Sequence, residues 1–352
     1  MHQTDDLRIT SIKELASPEK VHAEYPITEA ASRTVFEARQ AIYRALNGED
    51  KRLLVIIGPC SIHDPGAALE YAGRLKKMAD QLNNELLIVM RVYFEKPRTT
   101  VGWKGLINDP DLDQSFHINK GVRMARELLL KLSDMGVPAG TEYLDLISPQ
   151  YIADLVAWGA IGARTTESQG HRELASGLSC PVGFKNGTDG RIQIAIDAIR
   201  SASRPHSFLS VTKQGHSAIF TTAGNEYTHV ILRGGSRPNY DRESVNEAAR
   251  LLQETGLRQR VMVDCSHANS QKKFHKQLEV AEDIAHQIRT GQKYIFGVML
   301  ESHLVEGRQD HDDGELVYGQ SITDPCLGWD DSEQALRVLA QAVSDARARQ
   351  RS

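Results

Sequence analysis

Four side chains along this sequence form a donor set typical of a metal site. They are Cys60, His267, Glu301 and Asp324. A thiolate, an imidazole and two carboxylates are a set of mixed softness, which suits Mn²⁺, Fe²⁺ or Zn²⁺ better than Mg²⁺ or Ca²⁺. Because the four residues are far apart in the sequence, spacing leaves two alternatives open: a buried structural thiol at Cys60 and a hydrogen-bonded structural imidazole at His267.

Cationic side chains follow several apolar runs of the chain. They are Arg91, Lys96, Arg164, Lys185 and Arg233. If the runs are parallel strands, these cations meet at one end of the sheet, where guanidinium and ammonium groups bind phosphate and carboxylate oxygens. Each cation taken alone is equally typical of a solvated surface. Glu142 and Asp264 also end apolar runs, and Arg98 with two following hydroxyls forms a second basic loop.

The elements that must position these residues alternate between strand and helix. Helical spacing covers residues 67–82, 119–132, 241–255 and 271–289, and short β-branched runs cover 53–60, 86–93, 138–144, 159–164, 181–186, 229–234, 260–267 and 294–302. Eight strands alternating with helices predict a TIM (β/α)8 barrel, whose active site lies at the C-terminal ends of its strands. A doubly wound open sheet is the competing architecture.

Two segments fall outside a bare barrel. Residues 1–50 form an N-terminal extension with a predicted helix over 30–46, and residues 208–222 predict two alternating strands around Gly215. Glycine takes the positive φ of a tight turn without steric cost. We therefore expect an extension over 1–50 and a catalytic barrel over 51–352 that carries a β-hairpin at about 206–225. Such additions serve subunit contacts or regulation, or have no role.

Composition excludes several partner classes. The formal net charge is −4, which gives no overall attraction for nucleic acid or an acidic membrane. The N-terminus lacks a basic segment followed by an apolar run, so we predict a cytoplasmic protein. Four cysteines are too few for a disulfide scaffold at this length. The expected partners are small molecules and further copies of the chain.

Long motifs surround the candidate residues. They include Gly58-Pro-Cys-Ser-Ile-His-Asp, Phe94-Glu-Lys-Pro-Arg-Thr-Thr-Val-Gly-Trp-Lys-Gly and Asp264-Cys-Ser-His-Ala-Asn-Ser. With these motifs the chain resembles the type I, feedback-regulated bacterial 3-deoxy-D-arabino-heptulosonate-7-phosphate (DAHP) synthases, from about Asp5 to about Ala346. The resemblance implies a TIM barrel, assembled as a homotetramer, that condenses phosphoenolpyruvate with erythrose 4-phosphate. This reaction is the first step of the shikimate pathway.

The resemblance also implies roles for individual residues. Cys60, His267, Glu301 and Asp324 would bind one divalent metal, with Mn²⁺ favoured over Fe²⁺, Zn²⁺ and Co²⁺. Arg164, Lys185 and Arg233 would bind the phosphate of phosphoenolpyruvate, Arg91 and Lys96 its carboxylate, and Arg98 and Thr99 the phosphate of erythrose 4-phosphate. Glu142 and Ala163 complete the substrate-binding set. Lys96 is the candidate proton donor, and neighbouring cations are expected to lower its pKa.

A regulatory cleft away from the metal is implied as well, where an aromatic amino acid binds and inhibits. The corresponding positions are Asp5, Asp6, Pro149, Gln150, Ser179, Phe208, Ser210 and Phe220. Ser210 and the acidic start favour phenylalanine as the inhibitor, with tyrosine next. Phe220 is bulkier than the aliphatic residue associated with its position, which weakens that choice.

The sequence leaves two other functions to consider. One is condensation of phosphoenolpyruvate with arabinose 5-phosphate to an octulosonate phosphate, but that family carries Lys-Ala-Asn-Arg-Ser where this chain has Lys96-Pro-Arg-Thr-Thr. The other is a non-catalytic barrel that binds a phosphorylated metabolite. Binding an anion requires no thiolate-containing metal site, so the four candidate ligands disfavour this second alternative.

Overall fold

Eight parallel strands form a closed barrel in a computed structural model, which describes residues 2–98, 100–311 and 314–351. The first and last barrel strands pair with each other, which closes the barrel. The predicted TIM barrel is therefore confirmed, and the doubly wound open sheet is excluded. The barrel strands are β1 (Leu53–Gly58), β2 (Leu86–Arg91), β3 (Ala139–Glu142), β4 (Trp158–Ile161), β5 (Val182–Lys185), β8 (Thr228–Leu232), β9 (Val261–Asp264) and β10 (Ile295–Glu301), while β6 (Ser207–Val211) and β7 (Ser217–Thr221) lie outside it.

The strands are apolar along their whole length because both of their faces are buried. In β1, Leu54 and Ile56 point into the barrel and pack in one cluster with Trp158. The alternate residues Val55 and Ile57 pack in the layer between the barrel and the surrounding helices. This two-sided burial explains why the runs show no alternation between apolar and polar residues.

Helices cover the outside of the barrel, and their starts follow local capping rules. Asp64 begins the helix after β1, since its Oδ1 accepts from the backbone N–H groups of Gly66 at 2.7 Å and Ala67 at 3.2 Å. No helix within the described ranges is long and apolar enough to cross a bilayer. The helices are α1 (Pro18–Glu24), α2 (Glu29–Asn47), α3 (Pro65–Gln81), α4 (Ile118–Asp134), α5 (Pro149–Ile152), α6 (Gln169–Gly177), α7 (Gln193–Ala202), α8 (Arg242–Glu254), α9 (Lys276–Arg289) and α10 (Trp329–Arg351), with a short 3-10 turn at Ala153–Leu155.

The predicted hairpin is present between α7 and β8. Its strands β6 and β7 pair in antiparallel register, with Phe208 opposite Phe220. The side chains of Leu209 and Ile219 point outward and are 85% and 75% exposed. The turn packs on the N-terminal extension, where the N–H of Glu19 donates to the carbonyl of Lys213 at 2.7 Å. A boundary between extension and barrel at residue 50 stays a prediction.

A second small sheet was not predicted from the sequence. It consists of β11 (Val305–Arg308) and β12 (Gln320–Ser321), which pair in parallel. The sheet follows β10 directly and precedes Asp324. It therefore returns the chain to the mouth of the barrel.

Candidate active site

The predicted site residues surround a cavity of about 170 Å³ at the C-terminal ends of the barrel strands. Residues that the sequence did not single out also line this cavity, among them Thr165, Thr188, Lys272 and Thr323. Thr99 lies outside the described residues. The predicted residues that line the cavity are Arg91, Lys96, Arg98, Glu142, Ala163, Arg164, Lys185, Arg233, His267 and Asp324.

Three of the four predicted metal ligands converge beside this cavity. Ligand atoms of Cys60, Glu301 and Asp324 all lie within 4.8 Å of one another, and the Cys60 sulfur is 3.7 Å from Asp324 Oδ2. Cys60 follows β1, and Glu301 ends the neighbouring strand β10, so the closure of the barrel brings the two together. The fourth residue, His267, lies just outside this group, with its Nε2 3.7 Å from Glu301 Oε1.

The protonation of His267 follows from its neighbours. The hydroxyl of Ser266 donates to Asp264 Oδ1 at 2.5 Å, so the Ser266 oxygen is free to accept from His267 Nδ1–H at 2.8 Å. Asp264 Oδ2 also lies 2.8 Å from Nδ1, which likewise favours a proton on that nitrogen. With the proton on Nδ1, the lone pair of Nε2 faces Glu301 and is available to a metal. Asp264, which the sequence placed only at a strand end, thus lies where it can orient the His267 ring.

Arg91 is held more completely than expected for a substrate-binding residue. It is fully buried, and its Nη2 donates to Glu301 Oε1 at 2.9 Å and to the Cys60 carbonyl at 3.1 Å. Its Nε donates to the carbonyl of Pro59. The third guanidinium nitrogen of Arg91, Nη1, donates to the Met299 sulfur at 3.1 Å and has no oxygen partner among the described residues. Arg91 therefore fixes two candidate ligands, and each of its three guanidinium nitrogens has a partner among the described residues.

Lys96 lies against the candidate metal ligands. Its Nζ is 3.0 Å from the Cys60 sulfur and 3.4 Å from the Cys60 carbonyl oxygen. Burial acts to lower the pKa of the ammonium, but the negative charges of Cys60, Glu301 and Asp324 outweigh burial and raise the pKa of Lys96. The expectation of a lowered pKa was wrong, because the charges of the three candidate ligands outweigh both burial and the charge of Arg91, which act to lower the pKa of Lys96.

The other cations line the far side of the cavity. Lys185 is buried, with its Nζ 3.5 Å from Asp264 Oδ2. Arg164 is exposed and donates from Nη1 to the Pro97 carbonyl at 2.8 Å, which ties the loop after β4 to the loop after β2. Lys272 adds a cation that the sequence analysis missed. The only signal for it was a Lys-Lys pair that follows His267 by five residues.

The residues of the predicted regulatory cleft lie on four separate parts of the chain. The Gln150 carbonyl accepts from His22 Nε2 at 3.1 Å and from Lys213 Nζ, which joins α5, the extension and the hairpin. The rings of Phe208 and Phe220 are 6.3 Å apart on one face of the hairpin. In the same hairpin Ser210 pairs with Ala218. Pro149 is buried at the start of α5, and the Ser179 carbonyl accepts from the hydroxyl of Tyr43. Asp5 and Asp6 are exposed near the N-terminus. A common role for these residues stays a prediction.

The chain is similar in sequence to known proteins over nearly its whole length. The chain is 62% identical over 347 residues to "Phospho-2-dehydro-3-deoxyheptonate aldolase, Phe-sensitive" of Escherichia coli (strain K12), which covers 98% of this chain and 99% of that protein. It is 55% identical over 344 residues to the Trp-sensitive protein of the same name and organism, covering 97% and 99%.

A solved structure is similar as well. The structure of phospho-2-dehydro-3-deoxyheptonate aldolase from Francisella tularensis SCHU S4 superposes with a TM-score of 0.95 at 52% identity, covering 96% of this chain and 99% of that one. The model of the DAHP synthetase I family matches residues 24–337. The chain therefore belongs to the DAHP synthetase I family.

Proposed function

We propose that this protein is a 3-deoxy-7-phosphoheptulonate synthase, which condenses phosphoenolpyruvate with D-erythrose 4-phosphate to DAHP and inorganic phosphate, the first step of the shikimate pathway. The observation that carries the proposal is the set of Cys60, Glu301 and Asp324 within 4.8 Å of one another at the edge of a cavity lined by cations. The names of the similar proteins support the same reaction.

The four donors fit a divalent metal. Cys60, Glu301 and Asp324 converge, and His267 presents an unprotonated Nε2 towards them. The mixed sulfur, nitrogen and oxygen set favours Mn²⁺, with Fe²⁺, Zn²⁺ and Co²⁺ as alternatives. When bound, such an ion supplies Lewis acidity that polarises the aldehyde of the second substrate.

The cations of the cavity hold the anionic groups of the two substrates. Arg164, Lys185 and Arg233 bind the phosphate of phosphoenolpyruvate, while Nη1 of Arg91 and the ammonium of Lys96 bind its carboxylate. Arg98, with Thr99, binds the phosphate of erythrose 4-phosphate. Glu142 and Ala163 also line this cavity and complete the proposed substrate-binding set. Fixing both substrates in one cavity supplies the orientation that the bimolecular reaction lacks in water.

Lys96 is the proton donor in this proposal. The C3 carbon of phosphoenolpyruvate attacks the aldehyde carbon, and the new C–C bond leaves negative charge on the former aldehyde oxygen. The ammonium of Lys96 donates its proton to that oxygen. Water then adds to the electron-poor C2 and loses one proton, which balances the proton that Lys96 gave up and leaves a hemiketal phosphate. When the bond from C2 to the phosphate oxygen breaks, the proton of the new C2 hydroxyl passes to the leaving phosphate, so C2 becomes a ketone and inorganic phosphate is released.

Phenylalanine is the proposed feedback inhibitor, with tyrosine the alternative. The aromatic face of Phe208 and Phe220 provides an apolar wall for a ring. Ser210 lies on the same strand as Phe208. Pro149 and Gln150 lie beside the hairpin turn, and Ser179, Asp5 and Asp6 complete the proposed cleft. The Phe-sensitive name of one similar protein supports this choice.

A homotetramer is the proposed assembly. The outer face of the hairpin exposes Leu209 and Ile219 by 85% and 75%, and large apolar side chains exposed in pairs mark subunit contacts. The two substrates are phosphorylated metabolites, which supports a cytoplasmic location.

One assay tests the reaction. The protein is incubated with phosphoenolpyruvate and either erythrose 4-phosphate or arabinose 5-phosphate, and phosphate release is followed with and without a chelator. We expect release with erythrose 4-phosphate only, its loss on chelation, and its recovery when Mn²⁺ is added. The Cys60→Ala variant should release none. Equal release in the chelated protein would contradict the metal-dependent reaction.

A further inference from the structure

A second and much larger cavity lies at the opposite end of the barrel from the candidate active site. Its volume is about 1030 Å³, and its walls are the N-terminal ends of β1 and β10 together with the C-terminal parts of α2, α9 and α10. Pockets that bind small molecules commonly have volumes of about 300–1000 Å³. The cavity is therefore large enough for a metabolite of nucleotide size. We call it the basal cavity.

The charge of the basal cavity is strongly one-sided. Among the described residues, eight cationic side chains line it and a single carboxylate, that of Asp50. The chain as a whole has a formal net charge of −4, so this concentration of cations is local. Arg52 is neutralised by Asp50, and Arg258 by Glu226. Lys51, Arg260, Arg289, Lys293 and Arg347 form no ion pair with any described carboxylate.

Capping of helix ends explains only part of this set. Cations are favourable near helix C-termini, whose carbonyl groups are unpaired. Lys51 Nζ donates to the carbonyl of Gly48, which caps α2, at 2.6 Å. Arg260 Nη1 donates at 2.7 Å to the carbonyl of Lys293, in the loop between α9 and β10. In contrast, the guanidinium of Arg289 makes no hydrogen bond or ion pair with any described residue. Arg347 donates from Nη1 to the Asn84 carbonyl at 2.7 Å, but its Nε is buried without a hydrogen-bond partner among the described residues.

Unpaired cations held together in a cavity repel one another, and Arg347 also leaves a buried N–H without an acceptor. A ligand with several negative charges and several acceptor oxygens removes both costs. Guanidinium groups match phosphate oxygens in pairs, so a phosphorylated compound fits better than a single carboxylate. From this geometry we propose that the basal cavity is a binding site for a multiply phosphorylated small molecule, separate from the active site.

The test uses inorganic triphosphate as the probe and the full chain. Binding is measured by isothermal titration calorimetry in metal-free buffer, first without phosphoenolpyruvate and then with a saturating concentration of it, which occupies the phosphate-binding cations of the active site. We expect saturable binding at one site per chain. In the double variant Arg289→Gln, Lys293→Gln the dissociation constant should rise by about tenfold, since two surface-accessible charge contacts are lost.

A matched control is available on the helices around the barrel. Lys77 and Arg200 are exposed and form no hydrogen bond or ion pair through their side chains with described residues. The variant Lys77→Gln, Arg200→Gln removes the same charge and should leave the dissociation constant unchanged. Neither double variant removes a described hydrogen bond of a side chain, so both should melt at the temperature of the unsubstituted protein.

Three results would overturn the proposal. They are the absence of saturable binding, equal dissociation constants in the two double variants, and loss of binding when phosphoenolpyruvate is present. Loss in the presence of phosphoenolpyruvate would place the triphosphate in the active site. Because the measurement needs no turnover, its failure and failure of the proposed reaction are distinguishable.

Discussion

The ammonium of Lys96 lies 3.0 Å from the sulfur of Cys60 and donates to it. The contact joins the loop after β2 to the residue that follows β1. The proposed proton donor is therefore in direct contact with a proposed metal ligand. Because a bound cation would withdraw negative charge from the sulfur, the ammonium is then free to turn towards a substrate oxygen.

Replacement of Lys96 should separate catalysis from metal binding. In Lys96→Gln we expect kcat to fall by about 100-fold or more, because a neutral amide cannot donate the proton. Metal content per chain should stay the same, since Lys96 is not a ligand. Phosphate release and elemental analysis measure the two quantities. Lys104→Gln, an exposed residue of the same loop, is the control, and a kcat of Lys96→Gln within twofold of it would remove Lys96 as the donor.

Asp264 should act on the metal through His267. In Asp264→Asn the acceptor of the Ser266 hydroxyl is weakened, and the proton on His267 Nδ1 is no longer fixed. Loss of such an outer partner lowers metal affinity by about 10- to 100-fold. Titration with Mn²⁺ measures this change, and added metal should restore activity. The surface variant Asp80→Asn is the control and should bind Mn²⁺ with unchanged affinity. Unchanged affinity in Asp264→Asn as well would contradict the positioning role of Asp264.

Glu95 should make the stability of the protein depend on pH. Burial, together with the neighbouring charge of Asp145, raises the pKa of Glu95 to about 7 from an ordinary value of 4.5. An acid whose pKa is higher in the folded state favours folding at low pH, and this contribution is lost as pH rises through about 7. The full shift corresponds to about 3 kcal/mol.

Glu95→Gln should therefore be more stable than the unsubstituted protein above neutral pH and nearly equal to it near pH 4.5, the ordinary pKa. Denaturant unfolding in chelator, carried out across that range, measures the free energy of unfolding in both proteins. The exposed variant Glu37→Gln should follow the unsubstituted protein at every pH. Parallel curves for Glu95→Gln and the unsubstituted protein would contradict the raised pKa.

Phe208 should be required for inhibition but not for catalysis. In Phe208→Ala we expect the concentration of phenylalanine for half inhibition to rise by about tenfold or more, because the aromatic wall of the proposed cleft is lost. The value of kcat without phenylalanine should change by less than twofold. Ser207→Ala, one residue earlier on the exposed face of β6, is the control. Unchanged inhibition in Phe208→Ala would move the inhibitor site elsewhere.

The sequence predicted the barrel and the mouth of the active site because each barrel strand is buried on both faces and ends at the same rim. The apolar runs therefore end where charged residues begin, as at Arg91, Lys185 and Glu301. The small sheet of β11 and β12 had no comparable signal. One of its strands has only two residues, too few to form a pattern.

Properties that depend on three-dimensional neighbours were beyond the sequence. The pKa of Lys96 is set by ligands more than 30 residues away, and the sequence indicated the opposite direction. The proton on His267 depends on the rotation of the Ser266 hydroxyl. The basal cavity was not predicted at all, because its cations are spread from Lys51 to Arg349 and meet only when the barrel closes.

Two barrel strands reach from one cavity to the other. Leu53 begins β1 in the wall of the basal cavity, and Cys60 follows the other end of that strand. Phe296, in β10, lies in the same wall, and β10 ends at Glu301. The two ends of such a strand are only about 20 Å apart. A backbone displacement at the base of either strand would therefore act on a candidate metal ligand near its other end.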